Sequence, residues 1–327
     1  MSTAQIVPAP TSPGARIAGF GFDRGSRIVT NDDLSQTFDT NDEWITRRVG
    51  IRERRFATAD ETVVSMAVTA GRMALEDAGM LPADIDTVIV ATCTMPSQIP
   101  HAATQVAAGL GIEAPGSFDL NAACAGFCYG LGVASSAIKN GAARNVLLIG
   151  AEKLTDWVDQ TDRGNAIIFG DGAGAVVVTA SEVDEIGRVA WGSAEKLVST
   201  IHIKDRDSFI FQEGQSVFRW ASTAIAPVAL RAVDASGVAL GDIDALVTHQ
   251  ANLRIVEAIA HKVKDAGARD DLIVADDIVT TGNTSSASIP IAIARMREAG
   301  TLKSGDLVLS VGFGAGLTYA GIVFRLP

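Results

Sequence analysis

The sequence predicts an α/β protein built from two duplicated halves, each a sheet covered by helices on both faces. Three observations carry this expectation. The stretch "MALEDAGMLPADIDTVIVATC" from Met73 aligns with "RAVDASGVALGDIDALVTHQ" from Arg231, an offset of 231 − 73 = 158, and similarity at one long period marks a repeated unit. Runs such as "VLLIG" and "AVVVTA" are apolar almost throughout, as in strands with both faces buried. A count of 32 glycines against 6% aromatic residues in 327 suits tight turns and close backbone approach in a layered α/β chain.

Each element follows from local pattern. In both copies an amphipathic helix ends near a glycine, Gly79 or Gly237, and an Asp-Ile-Asp entry leads into a buried strand, "TVIVATC" or "ALVTHQ". "GSFDL" reads as extended and "CAGFCYGLGVASSAIKNG" as the helix after it. "AIKNGAARNVLLIGAE" pairs with "RMREAGTLKSGDLVLSVGFG", each a helix, a glycine-containing turn and an apolar strand, and "IFGDGAGAVVV" pairs with "GFGAGLTYAGIVF". The halves divide at about residues 16–180 and 181–327. Equivalent strand ends of the two should meet, so that loops from both form one site. The offset carries Cys124 to Gly282 (124 + 158), beside Asn283 and ahead of the helix "SASIPIAIARMREAG".

Composition excludes several functions. A net charge of −11 argues against general nucleic-acid binding, which needs clustered Lys and Arg. Three cysteines without framework spacing point to a reducing compartment, the cytoplasm, and their spacing offers no zinc site. The opening "MSTAQIVPAPTSPGAR" lacks a basic start and an apolar core, so a flexible lead-in is expected instead of a signal peptide. No apolar run approaches the ~18–20 residues of a membrane span.

Cys124 lies in "NAACAGF", among alanines and a glycine. At a helix N-terminus the peptide dipoles favour thiolate, and the small neighbours leave room for an acyl carbonyl and its oxyanion. A small core thiol fits the position as well. Cys93 and Cys128 read as core packing. His249 ends the strand "ALVTH" before polar "QAN", a place for a catalytic or a structural imidazole; His261 reads as a helix-face residue, and His101 and His202 show no partner. Asn283 in "TTGNTSSASIP" could cap a helix, hold a turn or donate to an oxyanion. "GDGAGA" at residues 170–175 formally fits a dinucleotide fingerprint, but a strand follows it where a helix is required. Its glycines are expected to allow a tight turn near the site, as are Gly314 and Gly316.

In order along the chain, "NAACAGF", "FGDGAGA", "HQANLRI", "GNTSSASIP" and "GFGAGLTYAG" resemble the β-ketoacyl-acyl-carrier-protein synthase III family of the thiolase superfamily, from "TNDEWITRRVGIRERR" onward. The resemblance implies a thiolase-like fold layered α-β-α-β-α, a homodimer, and catalysis by Cys124, His249 and Asn283. Cys124 would take an acyl group from acyl-CoA. Malonyl-acyl-carrier-protein would then lose carbon dioxide, with His249 and Asn283 holding the enolate oxygen, and the carbanion would attack acyl-Cys124 to give 3-oxoacyl-acyl-carrier-protein and initiate type II fatty-acid synthesis. The backbone N–H groups of Cys124 and Ala315 would hold the tetrahedral oxyanion. No tightly bound cofactor and no metal is implied.

By the same likeness Trp44 and Arg163 flank the adenine of CoA and Arg48 adds a cationic contact. Arg254, Lys262 and Lys264 offer a basic face for the acidic carrier protein, although such charges often form only a solvated face. Ile99 stands where the family reaches the partner's acyl pocket, and an aliphatic residue there suits a longer or branched primer. The segment between Trp191 and Phe218 departs from the family: it is short, and "QEGQSVF" replaces a common Met-x-Gly. The competing readings are a priming ketosynthase or acyltransferase of a polyketide pathway, a non-catalytic acyl-binding subunit, and a cysteine hydrolase.

Overall fold

The computed structural model describes residues 11–327; most of the expected lead-in lies outside the described residues. The first sheet contains β1 (Gly14–Arg24), β2 (Thr87–Ala91), β3 (Gly116–Leu120), β4 (Asn145–Lys153) and β5 (Asp171–Ser181), in the order β1-β5-β4-β2-β3. The second contains β6 (Ala190–Ser193), β7 (Ala245–Thr248), β8 (Ile273–Val274), β9 (Leu307–Gly314) and β10 (Thr318–Arg325), in the order β6-β10-β9-β7-β8. Strand directions match as well: β2 runs parallel to β3 and β4 as β7 does to β8 and β9, and the remaining pairs in each sheet are antiparallel. The duplication read from the sequence is therefore a duplication of topology.

Seven longer helices pack on these sheets: α1 (Asp42–Val49), α2 (Val63–Ala78), α3 (Ala102–Leu110), α4 (Gly126–Lys139), α5 (Gly214–Ser236), α6 (Leu253–Asp265) and α7 (Ser288–Glu298). Helices α4 and α7 lie between the sheets and touch both; α2 and α3 cover the outer face of the first, and α5, adjoined by α6, that of the second. The result is five layers, α-β-α-β-α. The central core joins Phe127 and Leu131 of α4, Ile289 and Ile293 of α7, Val176 and Val178 of β5 and Phe324 of β10. Double-sided burial explains the apolar runs, since β4 is buried from Asn145 through Glu152. Helices α2 and α5 end at Gly79 (φ 64°) and Gly237 (φ 70°), the left-handed caps expected of those glycines.

Two expectations are corrected here. The offset between halves is 158 at β2 and β7 (245 − 87) but 162 at β4 and β9 (307 − 145), because the second half inserts the one-turn helix Ile278–Thr281 ahead of the equivalent turn. The turn Ala123–Ala125 before α4 thus corresponds to Ser285–Ala287 before α7, and Cys124 pairs with Ser286, not Gly282. Both turns start from a left-handed non-glycine residue, Ala123 (φ 45°) and Ser285 (φ 49°). The glycines of "GDGAGA" do not make a tight turn. Most lie within β5, and a Cβ on Gly174 would come 2.7 Å from the Ile291 nitrogen and from Pro290, so the bare backbone lets α7 seat against the strand.

Candidate active site

Cys124 sits in the strained turn at the head of α4, where Asn121 Oδ1 accepts the Ala123 N–H at 3.1 Å. Strand β9 passes directly beneath. A Cβ on Gly314 would lie 2.8 Å from Cys124 Sγ, so this strand approaches only because the residue has no side chain. The backbone N–H groups of Cys124 and Ala315 lower the pKa of the sulfur, and both residues line the same cavity, where such donors can serve an oxyanion formed on the sulfur-bound carbon. Burial pushes the thiol up to about 12; the Ser285 hydroxyl draws it down, the Glu152 carboxylate adds to the rise, and the two N–H groups draw it down again. The expected depression of this thiol is not found: removal from bulk water outweighs the favourable dipoles, and the resting sulfur is protonated.

His249 follows β7, its N–H bonded to the Val311 carbonyl at 2.8 Å. The ring is enclosed, with Phe313 edge-on at 5.3 Å, and burial lowers its pKa to about 3. It is therefore neutral. Ser288 Oγ lies 2.7 Å from Nδ1 and accepts the Gln250 N–H at 3.3 Å. The network assigns the serine proton to Nδ1, which leaves Nε2–H as the donor.

Asn283 is fixed at both backbone atoms by the segment 168–170: its N–H donates to the Ile168 carbonyl and its carbonyl accepts the Gly170 N–H, each at 2.9 Å. This is what "FGDG" contributes, a role the sequence did not show. Asn283 Oδ1 accepts the Ser285 N–H at 2.9 Å, so its NH₂ is the group free to donate. Cys124, His249 and Asn283 line one cavity of about 780 Å³. One nucleophile and two neutral donors on a single void can acylate a thiol and stabilise an enolate.

The cavity wall includes Leu154, Phe169 and Val217, and Arg48, Arg219 and Arg254 line it as well. Arg219, exposed on α5, was not anticipated. Trp44 and its two arginines are together, with the guanidinium of Arg163 4.7 Å and that of Arg48 5.2 Å from the ring centroid. Arg163 also donates to the Asp39 carbonyl at 2.6 Å. An interposed base needs about 7 Å, two contacts of roughly 3.5 Å each, so the space expected for an adenine between Trp44 and Arg163 is closed in this conformation. Ile99 is 84% exposed and lies outside the cavity of its own chain.

The expected basic face is not formed. Arg254 stands over the Phe218 ring at 5.0 Å, while Lys262 and Lys264 are turned about 80° to either side of it at ~100° per residue. Lys264 Nζ donates to the Asp270 carbonyl at 2.8 Å, and His261 with Asp265, 2.8 Å apart, occupies the face between. Cys93 is a further correction. It lines the cavity with Sγ 3.4 Å from Glu152 Oε1, whereas Cys128 is buried in the core as expected. The divergent segment after Trp191 forms a small hairpin, Ile201–His202 with Phe211–Gln212, that contributes Ile201, His202 and Gln212 to the wall. His202 bonds the Ser199 carbonyl through Nδ1 at 2.9 Å and rests on Phe211. Among the described residues no cluster of three or more His, Cys, Asp or Glu could hold a metal, and no helix is long and apolar enough to cross a membrane.

Known proteins resemble this chain over both halves. Residues 118–195 match the family 3-oxoacyl-[acyl-carrier-protein] synthase III, and residues 233–326 its C-terminal family. A Streptomyces coelicolor protein named beta-ketoacyl-[acyl-carrier-protein] synthase III 4 is 46% identical over 96% of this chain and 99% of its own. Among solved structures, the priming beta-ketosynthase of the R1128 polyketide biosynthetic pathway superposes with a TM-score of 0.94 at 40% identity, over 99% of this chain and 98% of that one. The 3-oxoacyl-[acyl-carrier-protein] synthase III of Aquifex aeolicus gives 0.90 at 39% identity, over 95% of this chain and 100% of that one. With this likeness running the length of both halves, the chain belongs to the 3-oxoacyl-[acyl-carrier-protein] synthase III family of thiolase-fold condensing enzymes.

Proposed function

We propose that this protein condenses a short acyl-CoA primer with malonyl-acyl-carrier-protein, releasing carbon dioxide and forming 3-oxoacyl-acyl-carrier-protein to initiate type II fatty-acid synthesis. The observation that carries the reading is the pairing of Cys124 with two neutral donors, His249 and Asn283, on one cavity. In the first step Cys124 sulfur bonds to the acyl carbonyl, the carbon–sulfur bond to CoA breaks, and CoA leaves as thiol with the proton that Cys124 gives up. In the second, the malonyl carbon–carboxylate bond breaks and its electron pair moves into the thioester as an enolate, whose oxygen His249 Nε2–H and the Asn283 NH₂ hold. The enolate carbon bonds to the acyl carbonyl on Cys124, the oxyanion rests on the N–H groups of Cys124 and Ala315, and the carbon–sulfur bond breaks to expel Cys124 as a thiolate that takes up one proton from solvent. A neutral imidazole serves here as a donor, which its burial favours.

The reading requires no tightly bound cofactor. The three free thiols fit a reducing cytoplasm. Trp44, Arg48 and Arg163 are assigned to the CoA nucleotide and Arg254, with Arg219, to the carrier protein. A homodimer is supported by the open edge of β3, where Phe118 is 41% exposed, and Ile99 would then reach the partner's cavity. A second reading, priming of a polyketide pathway, is favoured by the likeness to the R1128 ketosynthase.

Mass spectrometry after incubation with acetyl- and isobutyryl-CoA tests the first step, and condensation with malonyl carriers from each pathway tests the second. A single acyl adduct on Cys124, turned over by the fatty-acid carrier, is expected. Turnover confined to a polyketide carrier would select the second reading. No adduct would indicate an acyl-binding subunit, rapid release of free acid a hydrolase, and transfer without carbon dioxide an acyltransferase.

A further inference from the structure

Glu152 stands near the end of β4 with its side chain fully buried, and the reaction above gives it no part. Neutral donors ring its carboxylate: Thr94 Oγ1 at 2.6 Å, Ser286 Oγ at 2.8 Å, and Ser285 Oγ and the Cys93 N–H at 3.1 Å. A buried carboxyl without a cation is costly even when well bonded, and an apolar side chain would fill such a place more favourably. Burial pushes this carboxyl up, and the Thr94 hydroxyl, the Cys93 N–H and the two serine hydroxyls draw it down. Its donors cross the boundary between the halves, since Thr94 and Cys93 follow β2 while Ser285 and Ser286 form the turn ahead of α7.

Ser285 is the link to the reaction. Its φ of 49° is a conformation non-glycine residues adopt only when held, and its N–H is the donor that fixes Asn283 Oδ1. The hydroxyl bond to Glu152 anchors that strained residue from the opposite half. Ser286, the counterpart of Cys124, is tied down beside it by a hydroxyl whose single proton is shared between Glu152 Oε1 at 2.8 Å and the Ala91 carbonyl at 2.9 Å.

We propose that Glu152 is a positioning residue that acts through Ser285 to present the Asn283 NH₂ to the enolate oxygen. It moves no proton and touches no substrate. The proposal rests on the condensing reading and assigns Glu152 to one half-reaction of it, the decarboxylation.

The test compares the full-length enzyme with Glu152→Gln and Ser285→Gly. Glutamine keeps the shape but replaces one acceptor oxygen with a donor; glycine keeps the N–H to Asn283, accepts the positive φ and removes the tether. Carbon dioxide release from malonyl-acyl-carrier-protein and acylation of Cys124 by acetyl-CoA are measured separately. Displacing a reacting group by about 1 Å costs on the order of 10²-fold, so carbon dioxide release should fall by about that factor in each variant that folds. Acylation should fall at least tenfold less in Glu152→Gln, and that variant carries the comparison, because Ser285→Gly also removes a hydroxyl that draws the Cys124 thiol down. Unchanged carbon dioxide release in both variants, or an equal fall in both steps in Glu152→Gln, overturns the proposal, because a general structural role would lower both together. A wild-type enzyme that neither acylates nor decarboxylates overturns the condensing reading itself, a result distinct from an active enzyme with indifferent variants.

Discussion

Ser288 Oγ lies 2.7 Å from His249 Nδ1 while accepting the Gln250 N–H, and this contact decides which imidazole nitrogen carries the proton. Ser288→Ala removes the donor and lets the ring take either tautomer, half of which present a lone pair to the enolate. Decarboxylation should fall about twofold, the loss expected when half of the rings are competent, well short of the roughly 10²–10³-fold cost of deleting a donor outright. Acylation of Cys124 should be nearly unchanged. Equal losses in the two half-reactions would show that the serine supports the fold and not the tautomer.

Gly314 carries the opposite expectation. A methyl group there would meet Cys124 Cβ at 2.7 Å and Sγ at 2.8 Å, so Gly314→Ala must displace either the strand or the thiol. The overpacking should cost about 1–3 kcal/mol of stability. Acyl-adduct formation and alkylation of Cys124 by iodoacetamide should both slow by more than tenfold, as followed by mass spectrometry. Wild-type reactivity in this variant would mean that the thiol is not held against β9.

The buried imidazole also sets a pH dependence. Its pKa is about 3 in the folded protein against an ordinary value of 6.5, so the unfolded chain binds a proton between these values that the native state refuses. The His249 contribution is present above pH 6.5 and lost as pH falls toward 3, on the order of 5 kcal/mol over the full window. Asp171 works against it. Burial raises its carboxyl to about 6, and the Thr155 and Ala57 hydrogen bonds only partly offset this; its contribution is present below pH 3.8 and lost as pH rises through 6. His249→Gln isolates the imidazole's share. Between pH 6.5 and 4 its melting temperature should fall less than that of the wild type, by thermal denaturation in matched buffers.

The fold was legible because duplication and double-sided burial leave long-range marks: two copies of one helix-strand unit, and runs such as "VLLIG". Cys124, His249 and Asn283 were legible as motifs in order, and the structure places them on one cavity. Their electrostatics were not. Whether a helix N-terminus or burial governs Cys124 depends on how much water the other half excludes, which no local pattern records. Glu152 was invisible for a related reason, since its donors come from Thr94, Ser285 and Ser286, far apart in the chain. A four-residue insertion, absorbed in the helix Ile278–Thr281, likewise moved the counterpart of Cys124 from Gly282 to Ser286.

The Trp44 platform supplies the last expectation. Arg163 lies over the indole at 4.7 Å and is tied to the Asp39 carbonyl, so a nucleotide base can stack on Trp44 only after that guanidinium has moved aside. Stacking a base on an aromatic ring contributes ~1–3 kcal/mol, and releasing Arg163 offsets part of it. Trp44→Ala should therefore raise KM for acyl-CoA by roughly tenfold with kcat little changed, because the adenine end is remote from the reacting carbonyl and contributes uniform binding. Arg163→Ala removes both a stacking partner and the obstruction, so its KM should shift less than that of Trp44→Ala. Steady-state kinetics with acetyl-CoA, repeated with the truncated substrate acetyl-pantetheine, checks the assignment: the Trp44→Ala defect should vanish when the adenine is absent, and a defect that persists would place the nucleotide elsewhere.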